Sequence, residues 1–199
     1  MKLKTEFYIR TDVVQIAREL LGKVLVTSIE GQRCEAIITE TEAYAGVTDK
    51  ASHAYGGRLT TRTRPMYLRG GHTYVYLCYG IHHLFNVVTN IEGVPDAVLI
   101  RGVEPIKGIP LMMKRRGHQE LKPALTQGPG ALSVAMGIQT IHSGLQLTNK
   151  TIWINDAAQT IAEQDIIASP RVGVAYAAED ALRPYRFRIK GNKWVSKPK

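Results

Sequence analysis

Runs of β-branched and aromatic residues recur along this chain, and several of the links between them are too short to carry a helix back across a sheet. Lys23–Ser28 and Cys34–Ala43 are joined through Glu30-Gly31-Gln32, and Thr73–Tyr79 and Leu84–Asn90 through Gly80–His83. Strands this close in sequence pair antiparallel, because a parallel pair needs a crossover of about a dozen residues or more. Further strand signals lie at Ala97–Val103, Thr151–Ile154 and Arg186–Ile189. Helical spacing marks Asp12–Leu21, with Thr11 or Asp12 placed to cap it and Gly22 to end it. It also marks the basic stretch Gly108–Gly117 and a short run Ala131–Met136 after the Gly128-Pro129-Gly130 turn. The expected class is α+β, with a largely antiparallel or mixed sheet, and 199 residues are most simply one domain. Gly46–Met66 is expected to be a long, partly irregular loop with a short helix near Asp49–His53, and Ser196–Lys199 to be disordered.

The net charge of +9 favours anionic partners, DNA or RNA before an acidic membrane surface. Locally the bias is sharper. Between Asp49 and Glu92 there is no acidic residue, but there are five basic ones (Lys50, Arg58, Arg62, Arg64, Arg69) and five of the nine tyrosines. Cations for phosphates and rings for bases are what a nucleic-acid surface needs. Cys34 and Cys78 form no CxxC or zinc-ligand pattern and read as buried thiols. The N-terminus lacks the apolar core of a signal peptide, and no run approaches the roughly 20 apolar residues of a membrane span. The expectation is a reducing, intracellular protein, cytoplasmic or with the nucleoid, with no membrane association. His53, His72, His82 and His83 make no HxH or HExxH pattern, and there is no phosphate-binding glycine motif, so neither metal nor nucleotide cofactor is expected.

Glu40 and Glu42 alternate along a strand and so share a face. They could divide acid and base roles, one could be catalytic and the other structural, or both could be solvated edge residues. Tyr44 continues the face and could set its ring beside Glu42. A base taken out of a nucleic-acid stack needs aromatic walls and a directional polar group, which Tyr44, His53 and Tyr76 could supply. Tyr79 next to Gly80, at a hairpin tip, is poorly placed to be buried and suits insertion between base pairs. Lys114-Arg115-Arg116 reads as a solvated helix face or a phosphate contact.

With these residues the chain resembles the alkyladenine (3-methyladenine) DNA glycosylases of the methylpurine type. Glu40-Thr41-Glu42-Ala43-Tyr44, Gly56-Gly57-Arg58, Tyr74–Gly80 and Arg171-Val172-Gly173-Val174 carry the resemblance. It implies a curved sheet with a protruding hairpin in one glycosylase domain over residues 1–199, no metal or cofactor, and water as the nucleophile. The implied partner is double-stranded DNA containing damaged purines, bound by a monomer. The implied substrates are 3-methyladenine and, beyond it, 7-methylguanine and hypoxanthine. By the same resemblance Glu42 would be the general base, and Arg101 would hold the water or a backbone phosphate. Tyr44, His53 and Tyr76 would line the pocket, and Asn86 would crowd the 2-amino group of guanine. Tyr79 would wedge into the minor groove, and Ile81, Arg58 and Arg62 would belong to the DNA-binding surface. The chain departs from the family at Ala131, where a lysine is common, and at His82 and His83 after the wedge. Two rivals are a non-catalytic nucleic-acid-binding module and a small-molecule enzyme of formyltransferase type.

Overall fold

The computed structural model of the protein describes residues 1–156 and 160–196. A short helix α1 (Thr5–Tyr8) and helix α2 (Val13–Glu19) precede hairpin β1–β2 (Val24–Ile29, Gln32–Tyr44). After a long loop come β3 (Thr73–Cys78), β4 (His82–Thr89) and β5 (Asp96–Lys107), then helices α3 (Ile109–Arg116) and α4 (Pro129–Met136). Strands β6 (Ile152–Asn155), β7 (Ile166–Ser169) and β8 (Arg186–Ile189) complete an eight-stranded sheet. Its main order is β3-β4-β5-β2-β1-β6, with β8 on β2 and β7 on β8, and every pairing is antiparallel.

Strand β2 is the spine. One edge runs along β5; the other pairs with β1 over its first half and with β8 at Glu40–Glu42. The sheet curls at that handover because the β2–β5 register slips twice, once on each side of Glu40. Thr39 is the extra residue on β2 and Arg101 the extra residue on β5. A bulge bends its strand and re-aims the side chain it carries. Gly102 follows immediately, and a Cβ there would come within 2.8 Å of the Trp194 carbonyl oxygen, so only glycine lets the C-terminal segment lie across the bulge.

The main core fills the space between the sheet and the helices. Helix α2 starts where the Asp12 carboxylate accepts the Gln15 N–H at 2.9 Å, and it buries Val13, Ile16 and Ala17. The buried Thr41 hydroxyl donates to the Ala17 carbonyl, 2.8 Å, and ties this helix to the spine. Tyr74 faces a second, smaller apolar cluster while Val75 joins the main core, as alternation along a strand requires.

Four expectations need correction. No helix forms at Asp49–His53; single 3₁₀ turns flank it at Gly46–Thr48 and Tyr55–Gly57. The Asp49 carboxylate accepts the N–H groups of Ala45 (3.1 Å) and Ala51 (3.0 Å), and side-chain bonds of this kind compete with helix. Cys34 is buried but Cys78, at the end of β3 towards the tip, is only half-buried. Ser196 is buried and hydrogen-bonded to Glu40, while residues 197–199 lie outside the described ones. Glu40 and Glu42 are not solvated edge residues, since both are fully buried. The sequence pattern also gave no sign of α1 and β7.

Candidate active site

A cavity of about 720 Å³ opens where β3, β4 and β5 meet the Gly46–Met66 loop, the start of α4 and the Val172–Val174 turn. Tyr44, His53, Arg62, Tyr76, Tyr79, Asn86 and Arg101 all line it, although they come from separate stretches of chain. Arg58 and Ile81 do not line it. Both are exposed, Ile81 beside Tyr79 on the tip and Arg58 on the loop.

The walls are aromatic. Tyr74 and Tyr76 stack with ring centroids 5.4 Å apart, and His53 meets Tyr76 edge-on at 4.6 Å. The Arg62 guanidinium lies 4.9 Å from the Tyr76 ring centre and donates to His53 Nε2 at 3.2 Å. Because a guanidinium only donates, His53 Nε2 accepts and its Nδ1–H is left to donate to the Tyr74 hydroxyl, 2.9 Å away. The imidazole is thus neutral. Burial, Arg62 and Arg58 push its pKa down to about 4. Asn86, 4 % exposed, is locked by donating to the carbonyls of Tyr74 (3.0 Å) and Leu84 (3.3 Å).

Behind the wall lies Glu42. Its Oε2 accepts the Tyr44 hydroxyl at 2.8 Å and lies 3.4 Å from Arg101 Nη1; its Oε1 accepts the Val172 N–H at 2.8 Å. Burial raises its pKa above the ordinary carboxylate range despite Arg101 and these donors. Burial and Glu42 also raise the Tyr44 phenol, so Tyr44 stays a donor. Neighbouring Glu40 goes the other way. Burial opposes its charge, but Arg101, Ser196 and Arg186 outweigh that and hold its pKa down. Two carboxylates on one face are thereby driven apart, the higher one beside the cavity, which is the arrangement expected where one of them must take a proton.

The frame behind Tyr44 is a second buried ion pair. Arg171 grips Asp49 with both terminal nitrogens, donates to the carbonyls of Ala43 and Asp180, and lays its guanidinium 4.8 Å from the Tyr44 ring. The next N–H along the chain, Val172, is the one that reaches Glu42.

Tyr79 stands at the β3–β4 tip, 88 % exposed, with φ +51 in the left-handed region where few side chains are found. The Lys114–Arg116 triplet is turned elsewhere. Arg115 donates to the Ala135 carbonyl at the C-terminal end of α4, and Arg116 to the Ala124 carbonyl, whereas the cavity meets the opposite end of α4. Sequence reasoning gave no role to Asp49, Arg171, Tyr176 or Ser196. The Arg171-Val172-Gly173-Val174 motif was visible, but its partner Asp49 lies 122 residues away. Among the described residues no group of three or more His, Cys, Asp or Glu could hold a metal, and no helix is long and apolar enough to cross a membrane.

An aromatic cavity of base size beside an exposed wedge, with a buried carboxylate at its back, is the layout of a DNA glycosylase, an enzyme of base excision repair. The family description that matches residues 6–193 is "Methylpurine-DNA glycosylase (MPG)". Proteins provisionally named 3-methyladenine DNA glycosylase are similar over nearly their whole length. That of Clostridium acetobutylicum is 45% identical over 98% of each chain. That of Chlamydia felis is 45% identical over 96% of this chain and 97% of its own, and that of Desulfitobacterium hafniense 44% over 98% of each. The chain belongs to the methylpurine-DNA glycosylase family.

Proposed function

We propose that this protein, as a single domain acting as a monomer on DNA inside the cell, flips alkylated or deaminated purines out of the duplex. It then hydrolyses their N-glycosidic bond with a water activated by Glu42 and leaves an abasic site. The observation that carries this reading is the position of Glu42, a buried carboxylate of raised pKa held by Tyr44, Arg101 and Val172 at the wall of an aromatic cavity. Such a carboxylate is a better base than a solvated one and can also face the positive charge that develops on the sugar.

The walls suit the substrate class. A 3-methyladenine base is already cationic and leaves readily, so the enzyme need not protonate it. Tyr44 and Tyr76 offer electron-rich faces that favour such a ring over a neutral one. Neutral hypoxanthine needs a proton on the ring and is the slower substrate. Asn86, pinned through its amide, crowds the space that the 2-amino group of guanine would enter. Tyr79 fills the gap left by the flipped nucleotide, with Ile81, Arg58 and Arg62 against the backbone and groove. Damaged pairs also cost less to open, which adds selection before chemistry.

The test is release of free base from methylated duplex DNA in EDTA by wild type and by Glu42→Gln. Release of 3-methyladenine by wild type alone, with lesion binding kept by the variant, is expected. Equal release by Glu42→Gln would remove Glu42 as the base; duplex binding without any release would favour the non-catalytic binding module.

A further inference from the structure

The second carboxylate has no part in that reaction, yet it is the most heavily bonded group near the site. Glu40 Oε1 accepts from Arg101 Nε (2.9 Å), Arg186 Nε (2.7 Å) and the Ser196 hydroxyl (2.7 Å), and Oε2 accepts the Ser196 N–H at 2.5 Å. Glu40 is fully buried and Arg186 nearly so. Ser196 in turn takes Arg101 Nη2 at 3.4 Å and Arg186 Nη2 at 3.3 Å. Arg101 therefore stands between two carboxylates and does not divide itself evenly. It bonds Glu40 at 2.9 Å and only approaches Glu42 at 3.4 Å.

We propose, building on the excision reading, that Glu40 is a positioning residue which draws Arg101 away from Glu42 and so leaves Glu42 free to act as a base. The bulge that makes Arg101 the extra residue on β5 aims it at this junction, and the Trp194–Ser196 segment lying over Gly102 closes it. The charges facing the pair come from every neighbouring element. Arg101 is on β5, Arg186 and Arg188 are on β8, Arg171 precedes the Val172 N–H, and Tyr44 and Tyr76 stand on the cavity side. Within the innermost set, Glu40 and Glu42 balance Arg101 and Arg186. Neutralising Glu40 leaves Arg101 no anion but Glu42, and the repulsion that Glu40 exerts on Glu42 disappears as well. Both changes favour ionised Glu42, lower its basicity and slow the proton transfer it performs.

The experiment is single-turnover release of a cationic methylated purine at saturating enzyme, followed against pH for wild type, Glu40→Gln, Glu40→Asp and Glu42→Gln. In Glu40→Gln the acid limb of the profile is expected to move to lower pH by about one unit, and the plateau rate to fall about fivefold to tenfold. Glu40→Asp keeps the charge and is expected to hold the limb at the wild-type position. A Glu40→Gln profile that superimposes on wild type, or a lower plateau with an unmoved limb, would overturn the proposal and reduce Glu40 to a structural group. If Glu40→Gln does not fold, Ser196→Ala decides. With one donor lost, Glu40 leans harder on Arg101, and the limb is expected to move up by a few tenths of a unit; no movement overturns the proposal. Failure of wild type to release base overturns the excision reading and this inference together. Release by wild type with Glu42→Gln inactive upholds the excision reading, so that an unmoved limb in Glu40→Gln then counts against the role of Glu40 alone.

Discussion

Asp49→Asn tests the frame that holds the site. Asp49 and Arg171 have side chains with no exposure, and the carboxylate takes both ends of the guanidinium. It also takes the Ala45 and Ala51 N–H groups, which shape the loop carrying His53. An asparagine keeps one acceptor but turns an NH₂ towards Arg171, leaving a buried cation without its counter-charge. Removing one partner of such a pair costs about 3–5 kcal/mol. For a chain of this size that corresponds to a melting temperature lower by about 10 °C. The damage reaches chemistry as well, because Arg171 backs the Tyr44 ring and sets the Val172 N–H on Glu42. Base release below the new melting temperature is expected to fall about tenfold, in keeping with a small misplacement of a catalytic group. Thermal unfolding by circular dichroism, with single-turnover excision, measures both. A melting temperature within about 3 °C of wild type would refute the reasoning, since an isolated buried guanidinium cannot be so cheap.

Tyr79→Ala removes a side chain that is 88 % exposed, so stability is expected to hold while binding to lesion duplex weakens by roughly tenfold to a hundredfold. Its single-turnover rate at saturating enzyme should match wild type, and unchanged duplex affinity in a titration would remove Tyr79 as the wedge. Asn86→Ala opens the floor of the cavity, and release of undamaged guanine from duplex DNA is expected to rise measurably above the wild-type background. His53 has a folded pKa of about 4 against an ordinary 6.5, so between those values the unfolded chain holds a proton that the folded chain does not. Its contribution to stability is complete above pH 6.5 and is lost as pH falls towards 4. Melting temperatures of wild type and His53→Gln compared at neutral and acid pH should therefore show wild type losing more on acidification; parallel loss would count against the depressed pKa.

Local patterns were legible where the chemistry is local. Alternation along β2 was enough to place Tyr44 beside Glu42, and the Tyr74–Gly80 run announced both a strand and an exposed tip, because period and turn residues lie within a few positions of one another. The short links between strands were enough for an antiparallel sheet. What stayed hidden depends on residues far apart in the chain. The two register slips around Glu40 follow from the packing of β5 and β8 on β2, and no residue in Ile38–Glu42 signals them. Ser196 looked like the start of a loose polar end, yet it is held by the buried charge of Glu40. The loop near Asp49 read as a helix because its composition permits one; its aspartate instead bonds the backbone and Arg171.

The bond from Ser196 to Glu40 closes a loop of 156 residues, and Arg186 reaches Glu40 over 146. During synthesis, β3, β4 and the Tyr79 tip are made long before either partner exists. A ribosome-bound chain that stops short of β8 would hold the rings and the wedge while Arg101 and Glu42 lacked their buried surroundings. Competence to cut therefore arrives among the last steps of biogenesis. An enzyme whose product is a hole in the genetic text is thus kept idle until the chain through Ser196 has been read out and closed.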